Sequence, residues 1–161
     1  EKMRPRTHML LKVTLDGAAW LTDVGFGAEG LLQPLRMVTH RSVSQFAWTY
    51  RLVEENGHWV LQSRQNETWS DLYAFSLEPQ EWIDYHMASY YTSTHPDSMF
   101  VQMIIAQHTR PEARRFLRNF ELITDDGQTV SSRTLADDEE LLRVLSRVFG
   151  LSFPPGTRFR Q

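Results

Sequence analysis

Two dipeptides constrain this chain more than any other feature of it. Asp16-Gly17 and Asn56-Gly57 each stand between runs of β-forming residues. Asp or Asn followed by Gly readily takes the two-residue turn whose twist matches paired antiparallel strands. The first turn predicts a hairpin of residues 7–15 and 18–23. The second joins strands at 48–53 and 58–64, and Asn66-Glu67 turns the chain again into 68–76. The result is a meander of at least three antiparallel strands within 46–77. Between the two regions, Val24-Gly25-Phe26-Gly27 breaks into a loop, and residues 28–44 read as irregular, with Pro34 and Gly30.

The second half changes character. Glu78-Pro79 reads as a helix start. Trp82, Ile83, His86, Met87 and Tyr90 recur at helical spacing, which predicts one buried face. Thr94-His95-Pro96 ends that helix. A strand is expected at 99–108, then a hairpin of 116–124 and 128–134 about Asp125-Asp126-Gly127. Asp137 with Glu140 three residues later starts a last helix. Leu141, Leu142, Leu145, Val148 and Phe149 form its stripe, and Gly150 ends it. The tail from Pro154 has no periodicity. Strands, helix, strands, helix in this order predict an α+β fold, mainly antiparallel and not doubly wound.

Composition excludes several function classes. The 161 residues include no cysteine, so no disulfide framework, thiolate metal site or cysteine nucleophile comes from them. Seventeen basic against twenty acidic residues leave a net charge of −3, unlike a general nucleic-acid binder. The one basic cluster, Arg110, Arg114, Arg115 and Arg118, is interleaved with Glu112 and Glu121 and reads as a solvated surface. No apolar run has the length of a membrane span, so no membrane partner is expected. Nothing at the start resembles a signal peptide, and a cytoplasmic location is expected. The chain begins at Glu1 without an initiator Met, which suggests that something precedes it. Gly25 and Gly27 do not form a dinucleotide loop, because no third glycine opens a helix after them.

Six histidines are present, and none has zinc-ligand spacing, so no metal is expected. One has a geometric partner. If Asp16-Gly17 is a two-residue turn, paired positions sum to 33, and Asp23 stands opposite Leu10. His8 shares a face with Leu10, so His8 and Asp23 are diagonal neighbours within side-chain reach. A three-residue loop would destroy this relation. A carboxylate on the imidazole N–H fixes the tautomer and stabilises the imidazolium when the other nitrogen takes a proton. The plainer alternative makes Asp23 a strand-end residue that bonds the following turn. His95 reads as structural, with Pro96 fixing a turn beside it and only Asp97 as a carboxylate neighbour.

Arg6-Thr7-His8-Met9-Leu10-Leu11, Trp20-Leu21-Thr22-Asp23-Val24-Gly25-Phe26-Gly27 and Pro34-Leu35 resemble the middle of an arylamine N-acetyltransferase. Leu72-Tyr73-Ala74-Phe75, Trp82-Ile83-Asp84-Tyr85 and the segment Tyr91 to Phe100 are similar to the same family, in order along nearly the whole chain. The resemblance implies a mainly antiparallel β-barrel-like domain at 1–77 and a mixed α/β lid at 78–161. It implies a Cys-His-Asp triad with His8 and Asp23 as two members. The cysteine lies upstream in the family's N-terminal domain, which is expected as the missing partner of this chain. The reaction it implies is a transferase one: acetyl passes from acetyl-CoA, the co-substrate, to an arylamine or hydrazine through an acyl-cysteine. Such chemistry belongs to xenobiotic metabolism. Phe26 and Phe100 match substrate-binding positions, and Thr7 and Gly27 match positions near the coenzyme A cleft. Two alternatives stand beside this reading. One is an amide synthase of the same superfamily that closes macrolactams. The other is a binding module that kept the fold and lost the nucleophile. A serine nucleophile has no G-x-S-x-G elbow to support it.

Overall fold

The computed structural model describes residues 5–27, 29–65 and 67–159. Eleven strands and three helices are defined among them. Two compact units divide the chain, His8–Tyr85 in one and His86–Gln161 with Glu1–Thr7 in the other.

In the unit His8–Tyr85, β1 (Leu11–Leu15) and β2 (Ala18–Thr22) form the first hairpin, and β3 (Leu35–Arg36) joins β2. Asp16 and Gly17 have φ of 50° and 71°, as a two-residue hairpin turn demands. A second sheet follows the order β4 (Val43–Gln45), β5 (Trp48–Glu55), β6 (His58–Gln65), β7 (Thr68–Phe75). Asn56 and Gly57, at φ of 52° and 77°, turn β5 into β6. Glu67 lies in the next turn; its expected partner Asn66 lies outside the described residues. Leu21 and Leu35 of the first sheet and Tyr50, Leu52 and Leu61 of the second share one core, each at most 2% exposed. The described pairings leave both sheets open. The first hairpin starts at Leu11, not at Thr7: residues 7–10 have no cross-strand partner in the described register.

In the other unit a four-stranded antiparallel sheet runs β8 (Ile105–Thr109), β9 (Arg114–Arg118), β10 (Glu121–Asp125), β11 (Val130–Thr134). Here three expectations need correction. Residues 116–124 are two strands, because Asn119 at φ 53° turns the chain between them. The segment 99–108 splits into α2 (Met99–Gln102) and β8, with Val101 and Gln102 N–H bonded to the Ser98 carbonyl. Arg114 is buried, 4% exposed, because it sits on a strand paired on both sides, opposite Thr109 and Asp125.

The last helix, α3 (Asp138–Phe149), is closed as its sequence predicts. The Asp137 carboxylate accepts the Glu140 N–H at 2.8 Å, and Gly150 ends the helix at φ 72°. Leu141, Val144 and Leu145 bury their side chains with Leu117, Leu122 and Leu135. His108 Nδ1–H donates to the Val148 carbonyl at 3.0 Å and ties β8 to the helix.

The first helix, α1 (Trp82–Thr94), departs most from expectation. It starts after Pro79, since Asp84 accepts the Glu81 N–H at 2.9 Å and caps the turn there. None of its residues is buried. Trp82, Ile83, Met87 and Tyr90 are 63–76% exposed, so the apolar spacing is real but the face it builds is uncovered.

Candidate active site

β1 and β2 hold the register that the turn dictates, Leu11 opposite Thr22 and Leu15 opposite Ala18. That register carries Leu10 and Leu21 toward the core and leaves His8 and Asp23 on the same side, just past the last pair. His8 Nε2 lies 2.7 Å from Asp23 Oδ2. A carboxylate only accepts, so Nε2 bears the proton and the lone pair of the neutral ring falls on Nδ1. The second carboxylate oxygen accepts the Gly25 N–H at 3.0 Å and the Phe26 N–H at 3.1 Å. The two proposed uses of Asp23, turn anchor and histidine partner, are therefore both realised, one by each oxygen.

The Asp23 side chain is wholly buried and that of His8 is 30% exposed. Burial is the strongest single influence on the carboxyl and pushes its pKa up. The bonds from His8, Tyr73 and the Gly25 N–H, with the histidine charge, together outweigh it and hold Asp23 below the ordinary carboxylate value. Tyr73 is pushed the other way, first by burial and then by the neighbouring Asp23 charge, so its phenol stays protonated. Its buried hydroxyl meets no partner at full hydrogen-bond geometry.

Two aromatic rings, Phe26 and Tyr73, flank the dyad. The His8 ring lies 5.5 Å from that of Phe26 and 5.4 Å from that of Tyr73, and Phe26 and Tyr73 are 4.8 Å apart. The loop that carries Phe26 is tied to the second sheet. Gln45, 2% exposed, accepts the Leu32 and Gln33 N–H groups and donates to the Gln33 carbonyl, each at 2.9 Å. The Tyr50 hydroxyl donates to the Gly30 carbonyl at 2.7 Å. Gly30 packs so closely that a Cβ there would meet the Gly27 carbonyl oxygen at 3.0 Å.

The structure thus brings together His8, Asp23 and Phe26. Gly27, half-buried at φ 97°, follows on the same loop, and Thr7, half-buried, precedes His8 in the chain. Phe100 lies on α2 in the other compact unit, 61% exposed. Tyr73 is the residue that sequence reasoning passed over. Leu72-Tyr73 was legible as strand, but which of the two faces the core depends on a β-bulge with no signature in the sequence. Of the other described histidines, His95 stacks on Tyr91 with ring centres 4.5 Å apart and accepts the Asp97 N–H, in keeping with a structural role. Among the described residues no group of three or more His, Asp or Glu side chains could hold a metal ion. No helix among them is long and apolar enough to cross a membrane.

An open-sheeted antiparallel α+β chain that presents a carboxylate-held imidazole beside two aromatic rings is thereby defined in outline. Comparison with known proteins places it: the chain belongs to the N-acetyltransferase family, whose model matches residues 1–157. The arylamine N-acetyltransferase of Escherichia coli K12 is 34% identical over 149 residues, 91% of this chain and 53% of that protein. The structure of the arylamine N-acetyltransferase from M. tuberculosis superposes with a TM-score of 0.89 at 35% identity, over 93% of this chain and 56% of the other. The Mycobacterium marinum arylamine N-acetyltransferase in complex with CoA gives 0.89 at 30% identity, over 93% and 56%. The chain spans about half the length of the curated relatives it matches.

Proposed function

We propose that this chain carries the imidazole–carboxylate part of an arylamine N-acetyltransferase site and serves acetyl transfer from acetyl-CoA to arylamines or hydrazines. The observation that carries the reading is the 2.7 Å bond from His8 Nε2 to a buried Asp23. It leaves Nδ1 as the base. The nucleophile is a cysteine thiol outside these 161 residues, which contain none. His8 Nδ1 takes the thiol proton, and the resulting imidazolium lowers the pKa of the thiol beside it. The proton then passes from Nδ1 to the departing CoA sulfur as the acetyl thioester forms on cysteine. In the second half His8 Nδ1 accepts the proton of the attacking amine nitrogen and returns it to the cysteine sulfur. Asp23 keeps Nε2–H in place and stabilises the imidazolium in both halves.

The remaining assignments rest on the family. Phe26 packs against His8 and is read as the wall for the aromatic acceptor, with Phe100 as a second acceptor contact. Thr7 and Gly27 are read as lining the approach of coenzyme A. Residues 1–77 are read as the barrel-like domain that carries the dyad and 78–161 as the α/β lid, in a cytoplasmic protein.

The test uses the complete gene product with acetyl-CoA and an arylamine, following release of the CoA thiol. His8→Gln is expected to lower turnover by about 100-fold or more, the range of general-base catalysis. Asp23→Asn is expected to impair it strongly by permitting the wrong tautomer. Wild-type turnover in His8→Gln would contradict the assigned base.

A further inference from the structure

Residues 23–34 join β2 to β3 and carry Asp23 and Phe26, yet none of the described residues among them belongs to a strand. Their backbone N–H and C=O groups enter no ladder, and those that are buried need other partners. Two side chains of the second sheet supply them. The β4–β5 register sets Val43 opposite Tyr50 and Gln45 opposite Trp48, so Gln45 and Tyr50 lie on one face as diagonal neighbours. Both are at most 2% exposed. Gln45 Oε1 accepts the Leu32 and Gln33 N–H groups, and Gln45 Nε2 donates to the Gln33 carbonyl, each at 2.9 Å. The amide has one orientation only, because a backbone N–H can only donate and a carbonyl can only accept. The Tyr50 hydroxyl donates to the Gly30 carbonyl at 2.7 Å.

Gly30 carries this hold to Phe26. Its N–H donates to the Gly27 carbonyl at 2.8 Å. It is buried, and a Cβ on it would meet the Gly27 carbonyl oxygen at 3.0 Å and the Phe26 Cβ at 3.3 Å. The Gly30 backbone therefore abuts Phe26 with no room for a side chain between them. On the other side Asp23 accepts the Gly25 and Phe26 N–H groups. Phe26 is thus fixed at its N–H by the carboxylate of the dyad and at its Cβ by Gly30. Its ring meets the His8 ring edge-on, with centres 5.5 Å apart and 71° between the planes.

We propose that Gln45 and Tyr50 are positioning residues for the aromatic acceptor. They hold the backbone of residues 30–33, Gly30 transmits that hold, and Phe26 keeps its ring as a wall beside His8. An arylamine leans on such a wall, whereas hydrazine presents no ring to it. Loosening the hold therefore slows the aromatic acceptor and spares the other. The acceptor part of this inference rests on the function proposed above; the packing of Phe26 on His8 does not.

The test uses Tyr50→Phe, which keeps the core ring and removes only the hydroxyl, and Gln45→Met, close in size and unable to make the three bonds. Should Gln45→Met not fold, Tyr50→Phe carries the test alone. Two readouts are taken on the complete gene product. The first is the proton NMR signals of the His8 ring C–H groups, which feel the ring current of Phe26 whether or not any acetyl transfer occurs. Both variants are expected to move them in the direction that Phe26→Ala does. The second is discharge of the acetyl-enzyme by p-anisidine or by hydrazine. Tyr50→Phe is expected to slow discharge by p-anisidine about fivefold, the scale of one buried hydrogen bond, and to change discharge by hydrazine and acylation by acetyl-CoA less than about twofold. In a Phe26→Ala background that loss is expected to disappear, since residues acting through one another are not additive. Unmoved His8 signals, no difference between the two acceptors, or the same loss without the Phe26 ring would overturn the proposal. A protein that forms no acetyl-enzyme but whose His8 signals move in the variants would overturn the assigned function and leave the positioning role supported.

Discussion

Asp23 is held down first by His8 against the burial that raises it, and Tyr73 is pushed up first by burial and then by Asp23, and these opposite shifts give the site a signature in pH. The Asp23 pKa is lowered in the fold from its ordinary 3.8. The unfolded chain therefore binds that proton more readily, and the stability contributed by the ionised carboxylate is lost as pH falls through the carboxylate range. Tyr73 is raised above its ordinary 10.0. Its contribution is complete below that value and is lost as pH rises beyond it. Stability of the wild type is thus expected to fall at both ends. Asp23→Asn should flatten the acid limb and Tyr73→Phe the alkaline limb, as read by denaturant midpoints across pH. An acid limb unchanged in Asp23→Asn would mean that the carboxylate is not held by its neighbours. That His8 and Asp23 could meet was legible from residue numbers, because a two-residue turn fixes the sum of paired positions; that they do meet was not, since residues 7–10 lie beyond the paired register. Tyr73 was not, because its facing is set by a bulge.

At the scale of elements, local chemistry decided most boundaries. Asp-Gly and Asn-Gly placed the hairpins, and the capping pair Asp137 and Glu140 placed α3. Asp137→Ala removes an acceptor for the Glu140 N–H and is expected to cost about 1 kcal/mol. Thermal unfolding checks this; an unchanged midpoint would mean that the helix end is held by other contacts. Signals were misread where two competed. Pro79 suits a first helical turn, yet the helix waits for the Asp84 carboxylate to bond the Glu81 N–H. Residues 99–108 have strand composition, yet Ser98 gathers the Val101 and Gln102 N–H groups into a helical turn first. Short-range hydrogen bonds won over average propensity in both places.

At the scale of the whole molecule, the spacing of apolar residues showed which side chains share a face but not what covers it. Trp82, Ile83, Met87 and Tyr90 form such a face on α1, and Leu11, Val13 and Leu15 form another on β1, all at least 42% exposed. Uncovered apolar patches mark surfaces that meet other groups. The 161-residue chain by itself is therefore expected to self-associate with rising concentration and to bind an apolar dye. Replacing Met87 and Val13 with Lys and Thr should reduce both, as followed by sedimentation and fluorescence. Dye binding unaffected by these changes would place the sticky surface elsewhere. The family membership accounts for the sheets, while the proposed chemistry needs a thiol that these residues do not contain.

The central claim is that His8 Nδ1, held by Asp23, activates a cysteine of the same protein for acylation. Intact mass of the complete gene product after incubation with acetyl-CoA, without any amine, tests it directly. The wild type is expected to gain one acetyl group that hydroxylamine removes, as a thioester, and His8→Gln is expected to gain none on the same timescale. Equal acetylation of the two proteins, or an untouched wild type, would contradict the account.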